Sequence, residues 1–598
     1  MSTEDARAGM GAIVHDDGVA FRVWAPNADK VFVSGSFNDW AEDEAPMVSE
    51  ENGYWYADVG NAKPADEYRF LLHRGKERLS KIDPYARAVT SSIGNGIIIA
   101  SNAPDDDDFI APPQNELIIY EMHIGTFHRS DMDRPGTFED AIERLDHLKR
   151  LGVNAIQIMP AMEFAGDLSW GYNPSHIFAV ETAYGGPDGL RALVKAAHAQ
   201  GLAVIFDVVY NHFGPSDLDL WQFDGWSEDE KGGIYFYNDW RSKTPWGDTR
   251  PDYGRSEVRQ FIRDNALYWL EQYKLDGLRF DMTLYIRNVE GNEGDPNDIL
   301  AEGWSLMQAI NGEIRDRLPG RITIAEDLRS VAAITGLPHD GGAGFSAQWD
   351  AQFVHPVREV LLAADDRDRH MATVAHALNG HYNGDPFQRV VYTESHDEVA
   401  NGKARIVHEI APGDPSHWAA QKKSTLGAAL VFTAPGVPML FQGQEFLEGE
   451  WFRDTVPLDW DHSVEFRGIV RLYRDLIKLR RNGDGTTAGL AGPEINVFRI
   501  DEERKVVGYH RFANGGPGDD VVVFANFSHQ PIENYRFGFP REGRWRVRLN
   551  SDWSGYSESF AGADSYDVEA VSHESDGFDC SAEITIGSYS VLILSQDP

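Results

Sequence analysis

Three carboxylates in this chain sit where a carboxylate is costly. Asp207 interrupts the apolar run Val204-Ile-Phe-Asp-Val-Val209, Asp281 ends Leu278-Arg-Phe-Asp281, and Glu326 ends Thr323-Ile-Ala-Glu326. A charge inside such a run is expensive unless it is paired or used. Taken singly, each reads equally well as a structural ion pair. Other reactive groups lie at or just past the ends of similar runs: His123, Tyr172, Asn211, His212, Arg279, Glu394, His396 and Asp397. Two carboxylates across a pocket, with a third beside them, suit glycosidic-bond chemistry. One attacks the anomeric carbon or screens its charge, and the other protonates the leaving oxygen. Asp281 stands near Arg279, and a neighbouring cation lowers a carboxyl pKa, so Asp281 is expected to stay ionised and suits a nucleophile. Glu326 lies in a more apolar stretch, which favours a raised pKa and an acid/base role. Asp397 and His396 suit the ring hydroxyls of a distorted sugar.

Such a set requires elements that converge on one mouth. Eight apolar strand-length runs can each be separated by a helix. They begin at Leu117, Val153, Ala203, Gly277, Ile322, Gly344, Val390 and Val437. Continuous apolar strands mark parallel sheet buried on both faces. Eight such units over residues 107–485 predict an α/β fold, a TIM (β/α)8 barrel, with functional residues at the C-terminal ends of its strands. An insertion at about 213–252, rich in Trp, Asp and Gly, reads as an active-site excursion. Residues 1–106 read as short strands with turns, an N-terminal β-sandwich. They end in an acidic, proline-bearing linker, Ala103-Pro-Asp-Asp-Asp-Asp108 with Ala111-Pro-Pro113. Residues 486–598 return to strands and turns, a C-terminal all-β domain expected to be a sandwich.

Composition narrows the partners. The formal net charge of −40 opposes nucleic acid and anionic membranes and permits a neutral substrate. Its surplus acidity reads as solubility or as adaptation to high salt. No apolar run reaches the ~20 residues of a membrane span. Met1-Ser-Thr-Glu-Asp lacks the marks of a signal peptide, so a cytoplasmic location is expected. Cys580 is the single cysteine and reads as a bystander. No H-E-x-x-H zinc pattern and no phosphate-binding G-x-x-x-x-G-K loop is present.

Four segments resemble the signature segments of the α-amylase family, glycoside hydrolase family 13. They are Asp207-Val-Val-Tyr-Asn-His212, Gly277-Leu-Arg-Phe-Asp281, Ile324-Ala-Glu326 and Ser395-His-Asp397. The resemblance implies Asp281 as nucleophile of a retaining double displacement, Glu326 as general acid/base and Asp397 as transition-state stabiliser. It implies that Tyr172, His212, Arg279 and His396 bind the sugar on the non-reducing side of the cleaved bond, with Asp207 supporting them. Phe21-Arg-Val-Trp-Ala-Pro26 and Gly35-Ser-Phe-Asn-Asp-Trp40 are similar to the family 48 carbohydrate-binding module. Trp24, Trp40 and Trp55 are its candidate sugar platforms, or equally core and interface residues.

Within the family, several segments resemble the 1,4-α-glucan branching enzymes: Tyr253-Gly-Arg-Ser-Glu-Val258, Ser395-His-Asp-Glu-Val399, Phe441-Gln-Gly-Gln-Glu-Phe446 and Leu458-Asp-Trp460. Leu284 and Tyr285 stand where plain α-amylases carry Lys-His. The resemblance implies cleavage of α-1,4-glucan (amylose, glycogen or maltooligosaccharide) and transfer to a 6-hydroxyl. Trp170-Gly-Tyr-Asn-Pro174 and Thr244-Pro-Trp-Gly247 also resemble maltooligosyltrehalose trehalohydrolase. Hydrolysis, by that enzyme or by a maltooligosaccharide-forming amylase, is therefore the alternative, and a non-catalytic glucan-binding protein the remote one. Asn211 stands where amylases of the family often bind calcium. A hydrogen-bonding loop asparagine is the reading here, and no metal or cofactor is expected.

Overall fold

The computed structural model describes residues 8–100, 108–560 and 563–598. Most of the acidic linker, residues 103–107, lies outside them.

Eight parallel strands close into a barrel: Ile119–Met122, Ala155–Ile158, Ala203–Val208, Gly277–Phe280, Ile322–Ala325, Ala347–Trp349, Arg389–Val391 and Val437–Phe441. The eighth pairs with the first, Met439 opposite Ile119. Nearly every strand residue is buried, as expected of a sheet with helices outside and side chains within. The expected barrel is therefore present. Its sixth and seventh strands are shorter than their runs suggest, and Tyr392 to Ser395 form loop rather than strand.

Register places the chemistry. Asp207 lies directly opposite Arg279 on the neighbouring strand. The ladder then runs one residue past each strand end: Asp281 N donates to Val208 O, and Glu326 N donates to Phe280 O, both at 3.0 Å. The backbones of both carboxylates are thus fixed by the sheet before any side-chain contact forms. After the second strand, the hairpin Met162–Phe164 and Pro174–Val180 carries Tyr172 over the mouth. Gly171 makes this turn possible. Its φ is +94°, and a Cβ there would lie 1.9 Å from Pro160 O.

Two four-stranded sheets precede the barrel. One joins Gly11–His15, Gly18–Trp24, Tyr54–Val59 and Val48–Ser49. The other joins Lys30–Gly35, Glu67–Arg74, Glu77–Lys81 and Gly96–Ile97. The insertion after the third barrel strand packs mainly against these sheets. Asp219 accepts from Arg69 Nη2 (2.8 Å) and Ile82 N (2.6 Å), Asp224 accepts from Asn27 Nδ2 (2.9 Å), and Tyr235 meets Trp24 edge-on. Asp217, Asp219 and Asp224 serve this interface, so the reading of the insertion as an active-site excursion is corrected for this part of it. The stretch around Trp246 reaches His212 and Tyr285. Trp24 is buried in the same interface, and Trp55 is half-buried with its indole N–H on Ala25 O. Trp40 alone of the three candidate platforms stays open, at 41% exposure.

The C-terminal strands hydrogen-bond along one antiparallel path of eight. The path folds back to enclose Val522, Phe524, Phe537, Phe539, Trp545 and Leu592, with Cys580 buried among them. Among the described residues no helix is long and apolar enough to cross a membrane.

Candidate active site

Arg279 is the centre of the mouth. It is fully buried, and its guanidinium lies on the Trp349 ring at 4.3 Å. Nη1 donates to Asp207 Oδ2 (2.6 Å) and Asp281 Oδ1 (3.0 Å), while Nη2 donates to Glu326 Oε2 (2.5 Å). One planar fork therefore gathers three carboxyl groups from three adjacent strands. Bridging by one guanidinium ties Asp281 and Glu326 to one side chain.

One cation cannot neutralise three buried carboxylates, so at least one proton must stay in the cluster. Burial pushes Glu326 up to about 8, against the pull of Arg279 and with the help of Asp281 and Asp397. Its Oε1 is buried without a protein partner. Asp281 also rises, to about 6, because burial outweighs Arg279 and because Asp207 and Asp397 add repulsion. Arg279 does pull Asp281 down, as expected, but burial is the larger effect and Arg279 is shared, so the net shift is upward. The order survives, with the proton resting on Glu326 before Asp281. Asp207 is likewise raised by burial, to about 6, and also accepts from Tyr172 OH at 2.8 Å.

The remaining sequence candidates ring this cluster. Tyr172 stacks on His396, with centroids 4.9 Å apart and planes within 23°. His396 Nε2 lies 3.6 Å from Asp397 Oδ2, and the Asp397 side chain is 38% exposed, open to the mouth. Burial would lower His396, but Asp397 and Glu121 more than offset this and push it up to about 9, so it is a cation. His212 stands beside Asn211 Oδ1 (2.8 Å) and Tyr172 O (2.9 Å), and burial lowers it to about 4. Both partners are acceptors, so the neutral ring donates to only one of them at a time.

Two residues noted in the sequence lie elsewhere in role. Glu394 accepts from Arg405 Nη1 (3.2 Å) and Ile406 N (2.8 Å), which anchors the loop after the seventh strand. His123 is held by Ser169 O, Tyr184 OH and Thr126 Oγ1 beneath the mouth. Asn211 uses both ends of its amide, Nδ2 on Asp281 Oδ2 (3.0 Å) and Oδ1 on His212. Among the described residues no group of three or more His, Cys, Asp or Glu gathers to hold a metal.

Sequence reasoning passed over Glu121, Trp246 and Phe452. Glu121 interrupts the first barrel strand just as Asp207 interrupts the third, so the rule that found Asp207 would have found it. Trp246 stacks on His212 (4.5 Å, 14°) and meets Tyr285 edge-on at 5.3 Å, leaving it 39% exposed at the rim. Phe452, from the loop after the eighth strand, packs on Trp170 and His123 on the opposite rim.

Comparison with known proteins finds relatives across all three parts of the chain. The family model for carbohydrate-binding module 48, the isoamylase N-terminal domain, matches residues 9–86. The model for the α-amylase catalytic domain matches residues 122–251, and that for the α-amylase C-terminal all-β domain matches 499–597. The 1,4-alpha-glucan branching enzyme GlgB of Corynebacterium jeikeium (strain K411) is 31% identical over 605 residues, spanning 97% of this chain and 82% of that one. GlgB of Salinibacter ruber (strain DSM 13855 / M31) is 31% identical over 582 residues, spanning 92% and 91%. In fold, the chain is similar to a putative α-amylase from Salmonella typhimurium (TM-score 0.73, 23% identity, 98% of this chain and 100% of that one). It is also similar to a pullulanase from Anoxybacillus sp. LM18-11 solved with maltotetraose (TM-score 0.76, 22% identity, 99% and 89%). The chain belongs to the α-amylase family, glycoside hydrolase family 13, alongside the 1,4-α-glucan branching enzymes.

Proposed function

We propose that the protein cleaves α-1,4-glucosidic bonds with retention and passes the glucan chain to a 6-hydroxyl, making α-1,6 branches. The observation that carries the chemistry is the single guanidinium joining Asp281 and Glu326 at the mouth of a closed barrel. In the first step Glu326 gives its proton to the leaving O4, the C1–O4 bond breaks, and Asp281 bonds to C1. In the second, an acceptor O6–H gives its proton to Glu326, O6 bonds to C1, and the C1–Asp281 bond breaks. Asp397 and the His396 cation grip the hydroxyls of the distorted ring, and Tyr172 and Asp207 hold that grip in place. A neutral glucan also suits a chain of charge −40, which has no like charge to repel.

Two features favour a sugar acceptor over water. The full-length relatives carry the branching-enzyme name. Trp246 and Tyr285 meet edge-on at the rim, with centroids 5.3 Å apart, and we assign to them the aromatic wall that holds an acceptor ring. Trp246→Ala is expected to shift the ratio of transfer to hydrolysis roughly tenfold toward water, with glycosyl-enzyme formation little changed. An unchanged ratio would remove the wall from the account.

The pH dependence follows from the same pair. Asp281 must be ionised and Glu326 protonated, so turnover is expected to follow a bell. It should fall below about 6 as Asp281 takes a proton and above about 8 as Glu326 loses one. An acid limb near ~4, the value of a free carboxyl, would contradict the dominance of burial.

The function itself is tested on linear amylose by following iodine colour and reducing ends together. Branching lowers the colour with little new reducing sugar. Reducing ends that rise in step with the colour loss would mean hydrolysis, and free trehalose released from a maltooligosyltrehalose would favour the trehalohydrolase reading.

A further inference from the structure

Glu121 belongs to the first barrel strand and is fully buried. Both of its oxygens are spent on one residue of a loop 275 positions away. Oε2 accepts from His396 N at 3.0 Å, and Oε1 lies 2.7 Å from His396 Nδ1. The contact therefore grips backbone and ring together. It fixes where the loop after the seventh strand leaves the barrel and which way the imidazole points. With Nδ1 on the carboxylate, Nε2 is turned to the mouth and to Asp397.

We infer that Glu121 is the positioning residue of the reaction proposed above: it holds His396 as an oriented imidazolium, so that the ring presents a proton on Nε2 and a positive charge to the sugar and to Asp397. The inference rests on that functional reading for its consequence in catalysis, but not for the state of the ring. A carboxylate buried in a barrel strand is strongly unfavourable without a cation, and His396 is the partner that both oxygens touch. A carboxylate behind a catalytic histidine fixes its tautomer and stabilises its charged form.

The other groups facing His396 do not make Glu121 redundant. Asp397, on the same loop, raises the ring, but it is the group that must be free to meet substrate. From the fourth strand, Arg279 opposes the positive charge. Asp207 and Glu326 each feel His396, but both are tied to Arg279. His123 lies beneath and is neutral, since burial lowers it to about 4. Tyr172 OH, 3.5 Å from Nδ1, is committed to Asp207. Trp349 and Trp170 close the remaining sides with uncharged rings.

The test is Glu121→Gln in the full-length protein, read in two ways. The first is the ring state of His396, from nitrogen-labelled histidine NMR at pH 7.5, with His396→Gln used to assign the signal. The parent should show both ring nitrogens protonated, as expected for a group pushed up to about 9. The variant should show a neutral ring, because losing one of two supporting carboxylates lowers the histidine pKa. The second is turnover of a maltooligosyl fluoride against pH. Activity needs the protonated ring, so the variant's alkaline limb should move to lower pH. The loss in kcat should be about tenfold to a hundredfold at pH 7.5 and smaller at pH 5.5. In a His396→Gln background the same change should add nothing, because Glu121 acts through that ring. A ring still doubly protonated in the variant, a pH profile unmoved from the parent, or additive losses in the double variant would each overturn the inference. If Glu121→Gln does not fold, Glu121→Asp carries the test. It keeps the charge one methylene farther away, so kcat should fall with the limb in place, and parent-like kcat would overturn the inference. A parent without turnover on any glucan would defeat the functional reading, while the ring state would still decide the role of Glu121.

Discussion

Asp281→Asn should lose about 10⁴-fold or more in turnover, on transfer and hydrolysis alike, while keeping its fold and its affinity for glucan. The amide has the shape of the carboxylate and its one oxygen can still accept from Arg279, though its NH2 then faces the Asn211 donor, and it cannot attack an anomeric carbon. No nearby group can take its place. Glu326 has its Oε2 on Arg279 and Met282 N, and Asp207 is fully buried behind the same guanidinium. Loss on both reactions is the informative part, because water and a 6-hydroxyl share one glycosyl-enzyme. Substantial residual turnover on amylose, or loss of transfer with hydrolysis intact, would remove Asp281 from the role of nucleophile. Binding of maltooligosaccharide by the variant, measured by calorimetry, separates lost chemistry from lost structure.

Arg279→Leu should do more than stop catalysis. It leaves Asp207, Asp281 and Glu326 buried with no shared cation, and breaking a buried pair costs about 3–5 kcal/mol. The pH dependence of that loss has a definite sign. All three carboxyls already have folded values above those of the unfolded chain, and without Arg279, which lowers each, they rise further. A carboxyl raised in the folded state favours folding below its unfolded pKa of about 4, and this contribution disappears as pH rises through the folded value. The variant should therefore lie nearest the parent near pH 5 and fall farthest behind near pH 8, measured as the difference in unfolding midpoint. Arg279→Lys should fall between, since an ammonium supplies charge without the fork. A gap that is constant with pH, or a leucine variant as stable as the parent, would show that the carboxyls find other partners.

The barrel was legible because strands buried on both faces must be apolar along their whole length, and Ala203–Val208 and Val437–Phe441 read that way without ambiguity. Asp207, Asp281 and Glu326 were legible for the complementary reason, as charges that such runs do not tolerate idly. The seventh run was read on to Ser395 although the strand ends at Val391, because residues at the mouth are buried by neighbouring loops rather than by pairing. In the C-terminal domain the four most apolar strands were readable. Ile532–Phe539 and Phe578–Ile586 carry charged residues on one face and merge with the turns around them. The insertion was misjudged because nothing local shows that Asp219 and Asp224 face a sheet about 140 to 200 residues earlier. Trp246 was quoted only within a motif, since a tryptophan reveals its use through the ring beside it. Glu121 was passed over because its partner is a histidine on the far side of the chain's order, joined to it only when the barrel closes.

The most direct measurement of the central claim is the site of the covalent intermediate. Glu326→Gln protein is mixed with a maltooligosyl fluoride, quenched in acid, digested and analysed by mass spectrometry. Fluoride leaves without an acid, while the missing base slows the second step, so the intermediate should accumulate. The peptide containing Gly277 to Asp281 is expected to carry the glycosyl mass on Asp281. A glycosyl group on Asp207 or Asp397 instead, or turnover with no adduct and an inverted product anomer, would contradict a retaining double displacement at Asp281.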